Sequence, residues 1–225
     1  MNNPIYKIEN LDYKNNNNLL LKIKKFEIHR GACYLFKGEM GAGKTLLLNL
    51  LNKTNNKYKG TISFDGKNLN KISNKAYGKD ISIVHQIQKR PFFKTSEQYI
   101  YKYIRMNNSK EKSAKILNSI SKAMNLKFLL NIKVRNLTPS QFRWVDLAAK
   151  IASNPKVLFI DEMEQHLSKE NLNILNKLLY RKCNYDGVTL VCSSQNARLF
   201  SGLVSVVISL KHGRISSLRS RSRKK

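Results

Sequence analysis

Short alternating runs of apolar and polar residues open the chain: Ile5-Tyr6-Lys7-Ile8, then Leu19 to Ile28, then Ala32 to Phe36. That period of two predicts strands joined by turns across residues 4–36. Thr61 to Lys67 predicts another strand, with an Asp65-Gly66 turn. Residues 96–130 carry Leu and Ile at helical spacing among Lys and Asn, which predicts a helical insert. From Gln141 to Ala152 apolar positions recur at three and four, a helix that stops before Asn154-Pro155. Val157 to Ile160 is uniformly apolar, as in a parallel-sheet strand buried on both faces. A helix over Lys169–Arg181 follows, then strands at Val188–Cys192, Val204–Leu210 and Arg214–Ser217. Strand–helix–strand alternation predicts an α/β fold with a mostly parallel sheet core.

Composition narrows the class. The 225 residues suit one large domain, and a hydrophobic fraction of 41% is enough for a core. Three scattered cysteines form no disulfide framework and fit no metal spacing, which favours a reducing compartment. No apolar run approaches the roughly 18 residues of a membrane span, and the Asn-rich start has no signal-peptide core. Forty-two Lys and Arg against 14 Asp and Glu give a net charge of +28. The cations are dispersed among asparagines, as on a solvated surface, so nucleic acid is not the expected partner. The exception is the basic tail at 218–225, which has the chemistry either to lie on an anionic membrane surface or to fray.

Lys37-Gly38-Glu39-Met40-Gly41-Ala42-Gly43-Lys44-Thr45 matches the phosphate-binding P-loop, with an apolar strand before it and a Leu-rich helix after it. Its glycines let backbone N–H groups curl round phosphate oxygens. Lys44 is expected at the β/γ-phosphates and Thr45 on Mg²⁺. The strand Val157–Ile160 runs into Asp161 and Glu162. Asp161 is placed to hold Mg²⁺ and Glu162 to polarise an attacking water.

These two motifs and what separates them resemble the ATP-binding cassette (ABC) ATPases, over nearly the whole chain from Tyr6 to Ser217. The resemblance implies a P-loop NTPase with a RecA-like core, an N-terminal antiparallel β part and an inserted helical subdomain at about 90–152, all within one cassette, 1–225. It implies that Tyr13 stacks on adenine and that Gln86 contacts Mg²⁺ from the Q-loop facing a membrane partner. It further implies that Thr138, Ser140 and Gln141, in Leu137-Thr138-Pro139-Ser140-Gln141, form the signature that grips nucleotide on the opposite subunit. Met163 to Ser168 stands as the D-loop, and Gln195 stands at the switch-histidine position. Cofactors are then ATP and Mg²⁺, bound through residues 38–45, with Glu162 and Gln195 catalytic.

Five departures from the family pattern bear on activity. Pro139 lacks an N–H and Ser140 lacks glycine's freedom. Trp144 replaces a conventional arginine, and the D-loop ends in Ser168. Gln195 can donate a hydrogen bond but carries no charge and shuttles no proton. The expectation is intact ATP binding with slowed hydrolysis, in a subunit that dimerises on ATP and drives a separate transmembrane permease. The setting is the cytoplasmic face of a membrane, or the stromal or matrix face in an organelle. The alternative is an ATP-gated scaffold or regulatory cassette with little turnover, homodimeric or heteromeric. His85 and His166 read as surface or packing residues, whereas Phe92 and Phe93 fit either a docking surface or a core.

Overall fold

The computed structural model describes residues 3–16, 18–87 and 90–220. Two sheets organise the molecule. The first is antiparallel, order β2-β1-β4-β5, from β1 (Tyr6–Asn15), β2 (Asn18–Ile28), β4 (Lys59–Phe64) and the two-residue β5 (Lys67–Asn68). The second has the order β10-β9-β3-β8-β7-β6. In it β3 (Cys33–Lys37), β6 (Ile81–Val84), β7 (Val157–Ile160), β8 (Thr189–Ser193) and β9 (Val206–Lys211) are parallel, and β10 (Arg214–Ser220) closes one edge antiparallel.

The uniformly apolar runs are explained by this sheet having a core on each side. Cys33, Leu35, Leu158, Ile160, Leu190 and Cys192 face a core shared with the helices α3 (Ser96–Arg105), α4 (Lys110–Ala123), α5 (Pro139–Ala152) and α6 (Lys169–Asn184). Their neighbours Tyr34, Phe36, Val157, Phe159 and Val191 face the opposite core, with α1 (Lys44–Leu51), α2 (Asn74–Asp80) and the first sheet. Alternation along these central strands therefore sends successive side chains into one apolar layer and then the other.

Most predicted elements lie within a few residues of the observed ones. The strand expected over Thr61–Lys67 divides at Asp65-Gly66 into β4 and β5. The helix expected from Gln141 begins two residues earlier, because Thr138 caps it and Pro139 occupies its first turn. The helix expected to end at Arg181 continues to Asn184. The short α2, capped by the Ser73 hydroxyl on Ala76 N, and the strand β6 were not expected. Among the described residues no helix is long and apolar enough to cross a membrane. Residues 221–225 of the basic tail lie outside the described residues.

Candidate functional site

The phosphate cradle forms where β3 hands over to α1. Gly43 is the N-cap of α1 at φ 100°, a left-handed conformation natural to glycine. Gly38 is required by space, since a Cβ there would meet Leu210 O at 2.5 Å and the Ala42 Cβ at 2.9 Å. Lys44 is buried, and its ammonium donates to Gly38 O (2.7 Å) and Glu39 O (3.0 Å), so it lies across the mouth of the loop. Thr45, Met40 and Gly41 are exposed, open to a ligand at the start of the helix.

The two carboxylates follow one another at the carboxyl end of β7. Asp161 is 6% exposed, follows β7, and donates its N–H to Val84 O at the end of β6. The Ser193 hydroxyl, from the end of β8, donates to Asp161 Oδ1 and accepts from Glu162 N (2.8 Å). Glu162 itself is at φ 48°, a left-handed conformation that costs a non-glycine residue about 1–3 kcal/mol. Hydrogen bonds from Met163 N to Ser193 O and from Gln165 N to Glu162 O hold the turn in place.

Two residues distant in sequence meet on the Glu162 carboxylate. Gln86 Nε2 donates to one oxygen (3.1 Å) and Gln195 Nε2 to the other (3.2 Å). The bracket of Glu162 by two neutral amides thus joins the loop after β6 with the loop after β8. Each oxygen keeps a lone pair for a further donor, such as a water.

The signature segment lies at the start of α5. Thr138 Oγ1 accepts from Gln141 N (3.2 Å), and Gln141 Oε1 accepts from Thr138 N (2.9 Å), completing a capping box with Pro139 at the first helical position. No intrahelical bond is lost to the proline there, because that N–H has no helical acceptor. The expected damage from Pro139 is therefore confined to whatever its N–H would offer a ligand. Ser140 is exposed with its N–H in the free first turn.

Two contributors escaped sequence reasoning. Arg143, 3% exposed, donates to His85 O (2.7 Å), Asp161 O (2.7 Å) and Glu162 O (2.9 Å). It ties the loop after β6 to the turn after β7, while Trp144 next to it donates to Met124 O among the helices. The arginine beside Trp144 in the sequence was the available signal. The other is Glu164, which binds the backbone around Gln195. Tyr13 is partly buried on the inward face of the first sheet, its hydroxyl accepting from Asn55 Nδ2 (3.2 Å) beyond the C-terminal end of α1. Only the uncovered part of its ring is left for a base.

Beside the site, Asp146 is buried, accepts from Tyr99 OH (2.6 Å), and has its carboxyl pushed up by burial. Burial lowers the half-buried His85 below its usual 6.5, favouring the neutral ring. His166 is exposed. Phe92 and Phe93 are exposed too, Phe93 at 82%, with Arg135 4.5 Å from the Phe92 ring centroid; they are surface, not core.

Among the described residues no three His, Cys, Asp or Glu side chains cluster to hold a metal. Mg²⁺ does not require such a cage: one or two protein oxygens beside phosphate oxygens and water suffice. Thr45, Asp161 and Gln86 supply donors of the right hard-oxygen kind.

A glycine cradle and a carboxylate pair, at the carboxyl ends of a parallel sheet flanked by an antiparallel one, define an ATP-binding cassette. A family model described as ABC transporter matches residues 21–165, and the chain belongs to that family. The methionine import ATP-binding protein MetN of Chlamydia pneumoniae is 26% identical over 96% of this chain and 65% of its own. The ABC transporter ATP-binding protein p29 of Mesomycoplasma hyorhinis is 25% identical over 94% of this chain and 90% of its own. The chain spans only about a third of some relatives, such as an ABC transporter ATP-binding protein of Clostridium tetani, of which 37% is covered. Among solved structures, the dimeric cassette MJ0796 bound to ADP and Pi superposes with a TM-score of 0.83 at 22% identity, covering 96% of this chain and 99% of that one. An ATP-binding subunit of an ABC transporter superposes at 0.88 with 16% identity, covering 96% and 90%. At these identities the structures speak for the fold.

Proposed function

We propose that the chain is the ATP-hydrolysing subunit of an ABC transporter, one cassette that pairs on ATP with a second cassette and drives a separate permease. The observation that carries this reading is the bracket of Glu162 between Gln86 and Gln195, on the strand edge next to the phosphate cradle.

Lys44 and the N–H groups of residues 38–45 bind the β- and γ-phosphates, and the exposed part of Tyr13 offers a face to adenine. Thr45, Asp161 and Gln86 hold Mg²⁺, which when bound neutralises charge on the phosphate oxygens. Glu162 orients the attacking water and accepts its proton. Gln195 donates to the γ-phosphate oxygen through its amide. In the pair, Thr138, Ser140 and Gln141 of one subunit cap the nucleotide on the other, the Thr138 hydroxyl proton being free while its oxygen serves the helix cap. A neutral glutamine stabilises a growing negative charge less than an imidazolium, which supports slowed turnover.

Relatives such as MetN, and a cbiO1 of Clostridium perfringens described as part of the complex cbiONQ, act within transport assemblies. By that analogy the cassette sits at the inner face of a membrane, with the exposed Ile87, Phe92 and Phe93 turned to its partner and the basic tail near anionic lipid. A second reading, an ATP-gated scaffold, is favoured by one observation: Gln195, the side chain presented to Glu162 at the switch position, is a neutral amide that shuttles no proton.

The pairing is tested with Glu162→Gln in ATP and Mg²⁺ by size-exclusion chromatography with light scattering. A dimer in ATP and a monomer in ADP is expected. A monomer in both would contradict the reading.

A further inference from the structure

Gln195 is held at two points by two carboxylates of the same turn. Its side-chain amide reaches Glu162, and its backbone N–H donates to Glu164 Oε1 at 2.7 Å. That one oxygen also accepts from Ser194 Oγ (2.9 Å) and Asn196 N (3.3 Å), so three consecutive residues of the loop after β8 converge on it. Asn196 N in addition donates to Ser194 Oγ (3.0 Å), closing the loop on the same centre. Ser194 is fully buried. The second Glu164 oxygen is buried with no hydrogen-bond partner, as is Nε of Arg143, and Arg143 feels the Glu164 charge. A carboxylate facing two successive N–H groups and a hydroxyl makes charge-assisted bonds, stronger than neutral ones and directional.

We infer that Glu164 is a positioning residue for the switch glutamine: it clamps the backbone of Ser194 to Asn196 so that the neutral amide of Gln195 is presented to Glu162 and the γ-phosphate site. This rests on the ATPase reading and deepens it. A histidine at the switch can be drawn to phosphate by its own charge, whereas a glutamine contributes only a dipole with rotatable bonds. Its contribution therefore depends on a fixed backbone, and a fixed donor loses no reorganisation energy during the reaction. Glu164 lies two residues beyond Glu162, so the clamp and the base share one rigid turn, with Gln165 N and Leu167 N bonded back to Glu162 O and Glu164 O.

The test compares Glu164→Ala and Glu164→Gln in otherwise wild-type protein and in a Gln195→Ala background. It reads steady-state ATPase kinetics and amide hydrogen exchange across residues 193–197. Glu164→Ala is expected to lower kcat about tenfold with the KM for ATP within about twofold, as loss of positioning rather than of binding. Glu164→Gln, which keeps an oxygen acceptor while losing the charge, is expected to recover most of kcat. In the Gln195→Ala background Glu164→Ala should make no further difference, because the clamp then has nothing to present. Exchange at the Gln195 and Asn196 amides should quicken about tenfold in Glu164→Ala and return towards wild type in Glu164→Gln.

An equal loss of kcat in both backgrounds overturns the proposal, since Glu164 would then act independently of Gln195. Unchanged exchange at those two amides overturns it as well. If the wild type shows no turnover at all, the ATPase reading falls. The amide exchange then decides the clamp alone, by the same two outcomes.

Discussion

Arg143 and Lys44 show how much one cation can organise when it is buried against carbonyls. Arg143 serves three backbone oxygens on two loops, so its removal takes a charged donor from all three, and of them Glu162 O keeps Gln165 N. Arg143→Met is expected to lower stability by about 3 kcal/mol, read as a drop in the urea midpoint at unchanged slope. Stability within about 0.5 kcal/mol of wild type would show that the loops hold themselves. Lys44 is different, because its partners Gly38 O and Glu39 O are the rim of its own loop. Lys44→Ala is expected to raise the Kd for ATP at least about 100-fold in a fluorescent-nucleotide titration, with little change in thermal stability. Both lysine and loop were legible as a motif of fixed spacing. Arg143 was not, because its place beside Trp144 was the one local signal and only the fold brings it to the carbonyls of Asp161 and Glu162. Glu164 was hidden for the same reason, its partners being some thirty residues further along.

Elements buried on both faces were the most readable, since the buried runs Cys33–Phe36 and Val157–Ile160 have no charged position to confuse the pattern. The strand β6 was obscured by Ser82, which is buried but bonded to Ser153 Oγ (2.8 Å). Helix α2 has seven residues with a glycine among them and only Tyr77 buried, too little for an apolar stripe to emerge. Helix α5 teaches the opposite lesson. Pro139 looks like damage when compared with a glycine-rich signature, yet as a helix start it is a proline at the first position behind a Thr138–Gln141 capping box. Thr138→Ala is therefore expected to destabilise the protein by about 1 kcal/mol, seen in chemical denaturation, apart from any effect on nucleotide. No loss of stability would remove the cap from the account.

At the scale of the whole molecule, three loops at one end of the parallel sheet converge on a single carboxylate, and the family to which the chain belongs gives that convergence a purpose. The net charge of +28 was legible from composition but decided little, because its cations are spread over the surface. The central claim is that Glu162, held between two amides, is the base of a working ATPase with a neutral switch residue. The most direct test is steady-state ATPase activity of the wild type beside Glu162→Gln, with ATP binding measured on the same preparations. The account predicts measurable turnover in the wild type, a fall of at least about 100-fold in Glu162→Gln, and ATP binding retained in both. Equal turnover in the two proteins, or binding without any turnover in the wild type, would contradict it.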